Sequence, residues 1–197
     1  MNNVPTLAEF QQQIEAIIGR PSNQRPFVCD GSPLDCRVFI VGLNPASASE
    51  RDFWEFWNLE TGFEKRAWFE SYIAERAQRP LKPGKSRRNL VSNTRRVLQW
   101  VITSAVHTPI LETNIYSSAT EDASDLTHNM RCTRPFDFLI ERLKPHLVVA
   151  HGNDAADHMR TAHTGVRIVA VKHFSRGWSQ QAARDLGLSI AREEGAS

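Results

Sequence analysis

The sequence lacks the features that mark membrane, secreted and disulfide-bonded proteins. None of its apolar runs approaches the length of about 20 residues that spans a bilayer, so no membrane partner is expected. Its N-terminus has no basic region followed by an apolar core, as a secretory signal would, and we expect a cytoplasmic protein. Its only three cysteines, Cys29, Cys36 and Cys132, fit reduced thiols better than a disulfide framework.

The spacing of cysteine and histidine gives no convincing metal site. Cys29 and Cys36 do not form a C-x-x-C knuckle, and three thiolates lack a clear fourth ligand. His158 and His163 are separated by a spacing that does not place them squarely on one helical face. We interpret these two residues and His151 as ordinary surface or capping residues, and predict no metal and no cofactor.

Length and composition fit one globular domain over residues 1–197. Hydrophobic residues make up 41% and charged residues 23% of the chain, as in ordinary folded proteins. The net charge of +2 excludes a strongly basic protein, although it says nothing about local patches.

One local patch is evident at 76–96, where every charged residue is basic. Most runs of this kind are solvated loop and helix faces. The alternative is a surface that follows the phosphates of a nucleic acid. The basic residues are Arg76, Arg79, Lys82, Lys85, Arg87, Arg88, Arg95 and Arg96.

Short apolar strands alternate with helical patterns along the chain. An apolar run that begins at Arg37 and ends in Gly42-Leu43-Asn44-Pro45 predicts a strand buried on both faces. The alternation predicts a parallel sheet covered by helices on both faces. Further strands are predicted at 109–116, 146–152 and 166–171, with a short edge strand as an option at 27–29, and helices at 6–19, 63–76, 90–105, 136–143, 154–163 and 180–186.

Polar residues stand at or after the ends of three of these strands. In such sheets ligands bind at the carboxyl edge, where we expect Asn44, Asn114 and His173 to lie. Each asparagine also has a simpler explanation: Asn-Pro is common in turns, and Asn114 within an apolar strand can hydrogen-bond a neighbouring loop.

Four aromatic residues crowd into the five positions of Phe53-Trp54-Glu55-Phe56-Trp57. They cannot all face one core. One interpretation is a helix that buries two of them. The other is an aromatic wall beside Asn44, suited to stacking on a flat ring.

Three motifs together resemble the uracil-DNA glycosylase superfamily over roughly 27–189. Gly42-Leu43-Asn44-Pro45-Ala46 is similar to its first motif, in the Gly-x-Asn-Pro form of the mismatch-specific and single-strand-selective branches. His173-Phe174-Ser175-Arg176-Gly177 resembles the second motif. The strand at 111–116 resembles the one that supplies the base-reading asparagine, Asn114.

The resemblance implies an α/β fold, a three-layer α/β/α sandwich with a four-stranded parallel sheet in the order 2-1-3-4. It implies a monomeric, monofunctional and metal-independent DNA N-glycosylase that excises uracil or another deaminated base in base excision repair. Asn44 would position the attacking water, His173 would stabilise the leaving base, and Asn114 would read the edge of the flipped base. The other residues implied are Gly42, Pro45, Phe53, Phe56, Trp57 and Ser175 for the substrate, and Lys82, Lys85, Arg87, Arg88, Arg176 and Trp178 for DNA.

Two positions depart from the family pattern. Phe174 replaces the usual proline, and Gly177 stands where the family often has a residue that wedges into the duplex. Arg176 or Trp178 would take over the wedge; otherwise single-stranded DNA becomes the expected substrate. Two alternatives stay open: an inactive member that binds nucleic acid or a nucleobase, and a small-molecule enzyme on a flavodoxin-like sheet.

Overall fold

The computed structural model describes residues 6–81, 84, 86–120, 122–163 and 165–195. These residues form two compact units, which we describe separately. The first comprises 6–65 and 109–171, and the second comprises 66–108 and 172–195.

A mostly parallel five-stranded sheet forms the centre of the first unit, and a two-stranded antiparallel ribbon accompanies it. The strands are β1 (Phe27–Val28), β2 (Val38–Gly42), β3 (Trp57–Asn58), β4 (Gly62–Phe63), β5 (Ile110–Asn114), β6 (Leu147–His151) and β7 (Arg167–Val171). The sheet order is β1-β5-β2-β6-β7, and β3 pairs with β4. The predicted α/β class with a mostly parallel sheet is confirmed.

The sheet has five strands, so the prediction of four is wrong by one edge strand. Phe27 pairs with Thr113 and Val28 with Glu112, which adds β1 antiparallel to β5. Both residues of β1 are buried, and burial at the sheet edge requires that their backbone groups find partners. The short strand that the sequence left as an option at 27–29 is therefore present.

The parallel strands place their carboxyl ends at one edge. β2 lies between β5 and β6, and all five of its residues are buried, as its unbroken apolar run predicts. β7 pairs in parallel with β6 and is only partly covered. β2, β5 and β6 thus end at the same edge of the sheet, and their last residues are Gly42, Asn114 and His151.

The helices of the described chain are α1 (Leu7–Ile18), α2 (Lys65–Gln78), α3 (Asn93–Ser104), α4 (Arg134–Leu143), α5 (Asn153–Ala162) and α6 (Gln180–Glu194). In α1, Thr6 and Glu9 form a reciprocal capping box, which explains the start of the helix. None of these helices combines the length and apolar character needed to cross a bilayer.

In the second unit α3 packs against α6. Gly187 of α6 meets the backbone of α3 so closely that an added Cβ would collide with the carbonyl oxygen of Val101. Glycine is therefore required for this approach. The prediction that the last helix ends at residue 186 is wrong, because α6 continues to Glu194 and buries Ile190 about one turn from its end.

Candidate functional site

The loop that follows β2 is fixed by the segment that follows β5. The backbone N–H groups of Ile115 and Tyr116 donate to the carbonyl oxygens of Gly42 and Leu43, at 2.9 Å each. Further along, the N–H of Thr120 donates to the Pro45 carbonyl at 3.1 Å. The Gly-Leu-Asn-Pro turn is thus held by hydrogen bonds over its whole length.

Asn44 is half-buried in this turn, with one end of its amide engaged. Its Nδ2 donates to Thr120 Oγ1 at 2.8 Å and to the Pro45 carbonyl at 3.2 Å. Thr120 Oγ1 donates in turn to the carbonyl of Asp122 at 2.7 Å, which fixes its hydroxyl as the acceptor for Asn44. Both hydrogen bonds that Asn44 makes through its side chain to described residues use Nδ2. The amide is therefore oriented, and Oδ1 is left to accept a hydrogen bond from a ligand.

Asn114 and His151 converge on Gly42. A Cβ added to Gly42 would lie 2.7 Å from Asn114 Oδ1 and 2.8 Å from His151 Nε2. Gly42 is paired in register with Asn114, so this approach follows from the alignment of β5 with β2. The glycine leaves space for two polar side chains at the strand ends.

His151 is the residue of this group that the sequence interpretation set aside as a surface or capping residue. It is 8% exposed and ends the buried strand β6. The sequence signal was available: a polar residue closes an apolar strand, which is the same pattern that singled out Asn114.

The aromatic run after the turn is largely core. Phe53, Trp54 and Phe56 lie in a short 3-10 helix and are buried, one more than predicted. Phe53 stacks on Phe63 with ring centroids 5.4 Å apart, and the half-buried Trp57 stacks on Phe10 at 5.9 Å. These contacts support the core interpretation of Phe53 and Phe56, while a role as a platform for a base stays a prediction.

In the second unit, His173 is oriented by Ser175. Its Nδ1 accepts a hydrogen bond from the Ser175 backbone N–H at 3.2 Å and lies 2.7 Å from Ser175 Oγ. An accepting Nδ1 places the proton of the neutral ring on Nε2. His173 as a whole is exposed. Its pKa is nevertheless lowered below the usual value, first because its surroundings desolvate the ring and second because Arg176 carries a positive charge nearby.

The loop around His173 closes on itself. Phe174, at the position of the family's proline, is fully buried and meets Trp178 edge-on with centroids 5.2 Å apart. The Lys172 ammonium donates to the Gly177 carbonyl and lies 5.3 Å from the Trp178 ring. Gly177 has φ of +69°, a conformation that favours glycine over the bulkier residue of the family. The burial of Phe174 and the positive φ of Gly177 are thus local structural reasons for these two departures from the motif.

The basic segment at 76–96 also belongs to the second unit, and its arginines differ in exposure and in hydrogen bonding. Arg88 donates to the carbonyls of Arg76 at 3.0 Å, Arg79 at 3.2 Å and Pro80, at and just beyond the end of α2, so it serves the helix terminus. Arg87 is exposed, as is Arg176 in the other loop. Lys82 and Lys85, which were assigned to DNA binding, lie outside the described residues.

A pocket of about 500 Å³ lies in the first unit beside the Gly-Leu-Asn-Pro turn. Arg131 stands over the Tyr116 ring at 5.9 Å, and both residues line the pocket. Its other lining residues are Leu43, Ala123, Ser124, Asp154, Asp157 and His158.

One group of side chains in the first unit has the composition of a metal site. Asp137, His158 and His163 each offer a ligand atom, and these atoms lie within 4.8 Å of one another. The pKa of His158 is lowered, mainly because burial desolvates the ring and in second place because His163 lies nearby. Asp137 acts in the opposite direction and raises it. The sequence argument missed this group because it considered only the spacing along one helix.

No protein-family model matches this chain, and no curated protein matches it either. Inferences about its function therefore depend on the residues and geometry described above.

Proposed function

We propose that the protein is a monofunctional DNA glycosylase that hydrolyses the N-glycosidic bond of uracil or another deaminated base. The observation that carries this proposal is the amide of Asn44, which is anchored through Nδ2 at the carboxyl edge of the central strand. An oriented amide oxygen in that place can hold a water molecule for attack on a sugar carbon.

The proposed reaction uses water as its nucleophile and no metal. Asn44 Oδ1 accepts a hydrogen bond from the water, whose oxygen forms a bond to C1′ of the deoxyribose. The bond from C1′ to the base nitrogen breaks, its electron pair leaves with the base, and the proton of the water passes to solvent or to the base. Product is a free base and an abasic site.

His173 is proposed to stabilise the departing base. Its Nδ1 is occupied as an acceptor, so the neutral ring presents an Nε2–H donor. Donation to the pyrimidine carbonyl would offset the negative charge that develops as the base leaves. A single donor of this type contributes about 10²–10³-fold to the rate.

Asn114 is proposed to read the edge of the flipped base. Its amide lies against Gly42, where the absence of a side chain leaves space. An amide both donates and accepts, which matches the alternating groups of a pyrimidine edge. Gly42, Pro45 and Ser175 would support the site by shaping the turn and orienting His173.

We also infer the α/β/α layering and the strand order of this enzyme class. In support, the four parallel strands follow the order β5-β2-β6-β7, which is second, first, third and fourth along the chain. The additional strand β1 lies outside them at an edge.

DNA is the proposed partner, bound by a monomer. Arg87 and Arg176 are exposed and carry charge that phosphates would attract, and Arg88 and Trp178 are the other described residues proposed for this surface. Binding through this surface would weaken steeply as salt rises.

The test is cleavage of labelled single- and double-stranded oligonucleotides that carry uracil, hypoxanthine or xanthine. We expect abasic product from at least one substrate, reduced roughly 10²–10⁴-fold in Asn44→Ala and His173→Ala. Asn129→Ala and His128→Ala, which change exposed residues of the same types, serve as matched controls and should leave the rate unchanged.

The remaining outcomes separate the alternatives. Absence of product with salt-sensitive DNA binding would replace the proposal with a binding module that has kept the fold. Absence of both product and salt-sensitive binding would favour a small-molecule enzyme, because such a protein has no use for the basic segment.

A further inference from the structure

We propose that Asp137, His158 and His163 form a binding site for a divalent transition metal of the zinc type, separate from the proposed glycosylase chemistry. Asp137 lies in the first turn of α4, His158 in α5, and His163 immediately after α5. An ion bound there would connect α4 to the C-terminal end of α5.

The distance between Asp137 and His163 fits a shared ion better than a direct hydrogen bond. Asp137 Oδ1 and His163 Nε2 are 3.6 Å apart, beyond the 2.7–3.2 Å of an N–H···O bond. Zinc bonds of about 2.0–2.2 Å at a tetrahedral angle place two donor atoms about 3.3–3.6 Å apart. Small side-chain adjustments would bring all three donors, now within 4.8 Å, onto one ion.

The two imidazoles have unused donor atoms. Nε2 of His158 and Nε2 of His163 are buried, and neither makes a hydrogen bond to any residue of the described chain. A buried polar atom without a partner costs free energy, which metal coordination would recover.

The surroundings resemble those of known metal ligands. Thr133 Oγ1 donates to Asp137 Oδ2 at 2.7 Å, which orients the carboxylate and leaves Oδ1 on the side of His163. The Phe136 ring meets His158 and His163 edge-on, at 6.0 and 5.4 Å, and so forms an apolar wall. His158 also lines the 500 Å³ pocket, which gives an ion a route of entry.

A donor set of two imidazoles and one carboxylate suits zinc and leaves a fourth position for water. The test measures Zn²⁺ affinity of the full chain by competition with a chromophoric chelator, in a Cys132→Ser background because that exposed thiol can itself bind zinc. We expect one Zn²⁺ ion to bind per protein chain. His158→Gln and His163→Gln should each weaken binding at least 100-fold, and Thr133→Val by roughly 10-fold.

His128→Gln is the matched control, since His128 is exposed and outside the cluster, and it should bind zinc as the parent does. If a variant does not fold by circular dichroism, Co²⁺ bound to the parent protein gives an independent answer, with the intense visible absorption of a tetrahedral N/O site expected. Absence of stoichiometric Zn²⁺ binding at micromolar concentration, a weak octahedral Co²⁺ spectrum, or equal affinity in the folded cluster variants and the control would each overturn the proposal.

Discussion

Two loops carry the residues proposed for catalysis, and they differ in the sequence separation of the contacts that hold them. The turn at 42–45 receives hydrogen bonds from 115–120, more than 70 positions further along the chain. The loop at 172–178 contains contacts among its own residues, such as Lys172 with Gly177 and Phe174 with Trp178. Pairing with a distant segment therefore positions the first loop, whereas contacts between near neighbours in the sequence contribute to the second.

This difference determines which substitutions should affect each loop. The turn that contains Asn44 should respond to changes in β5, which aligns the segment that holds it. The loop that contains His173 should respond to changes in its own residues, such as Gly177.

The largest effect is expected from the buried ion pair on β5. Lys65 Nζ lies 2.7 Å from Glu112 Oε1, and the two side chains are 14% and 6% exposed. Lys65→Met leaves the carboxylate buried without this cation, so the free energy of unfolding should fall by about 3–5 kcal/mol in urea denaturation.

Lys172→Met is the control for this substitution. Lys172 is exposed and donates to a carbonyl of its own loop, so its removal should cost less than about 1 kcal/mol. Equal losses in the two variants would contradict the larger cost expected for breaking the buried pair.

Gly42→Ala should have the next largest effect. The added methyl group would approach Asn114 Oδ1 to 2.7 Å and His151 Nε2 to 2.8 Å, so both side chains must move. We expect a loss of about 1–3 kcal/mol, as for other overpacked sites, and a larger proportional loss of oligonucleotide cleavage. A variant with unchanged stability and cleavage would show that the convergence on Gly42 has no role.

Gly177→Ala should cost about 1–2 kcal/mol because its φ of +69° disfavours a side chain. Gly165→Ala is the matched control, since Gly165 has no such φ and a Cβ there meets nothing within 4 Å. Thermal unfolding of the two variants measures the difference. If Gly165→Ala were as harmful as Gly177→Ala, the left-handed conformation would not be the cause.

The sequence predicted the parts of the fold that depend on local pattern. The four parallel strands appear where apolar runs predicted them, and Asn44 and Asn114 stand at or after strand ends as expected. The ribbon of β3 and β4 went unpredicted because two-residue strands have no periodicity to detect.

Two of the missed features depend on contacts between distant segments. The pairing of β6 with β2 brings the His151 ring to Gly42, which the polar end of an apolar strand indicates only in part. His158 and His163 form a cluster only because α4 contributes Asp137. Spacing along one helix cannot show a ligand that a different helix supplies.

The smallest effect concerns the pKa of His173. Desolvation is the first cause of its lowered pKa and the charge of Arg176 is the second, so Arg176→Gln should raise the pKa without restoring the usual value of about 6.5. Titration of the ring proton resonances by NMR measures the shift, and Arg176→Lys, which keeps the charge, should leave the pKa lowered.

The same shift has a consequence for stability. Because the pKa of His173 is lower in the folded protein, the unfolded chain binds the proton first as the pH falls below about 6.5. The contribution of His173 to the free energy of unfolding therefore decreases as the pH falls through that range, and it becomes constant below the pKa that His173 has in the folded protein. Arg176→Gln should make the decrease smaller, whereas Arg176→Lys, which keeps the charge, should leave it as in the parent protein. An unchanged pH dependence in Arg176→Gln would contradict a role of this charge.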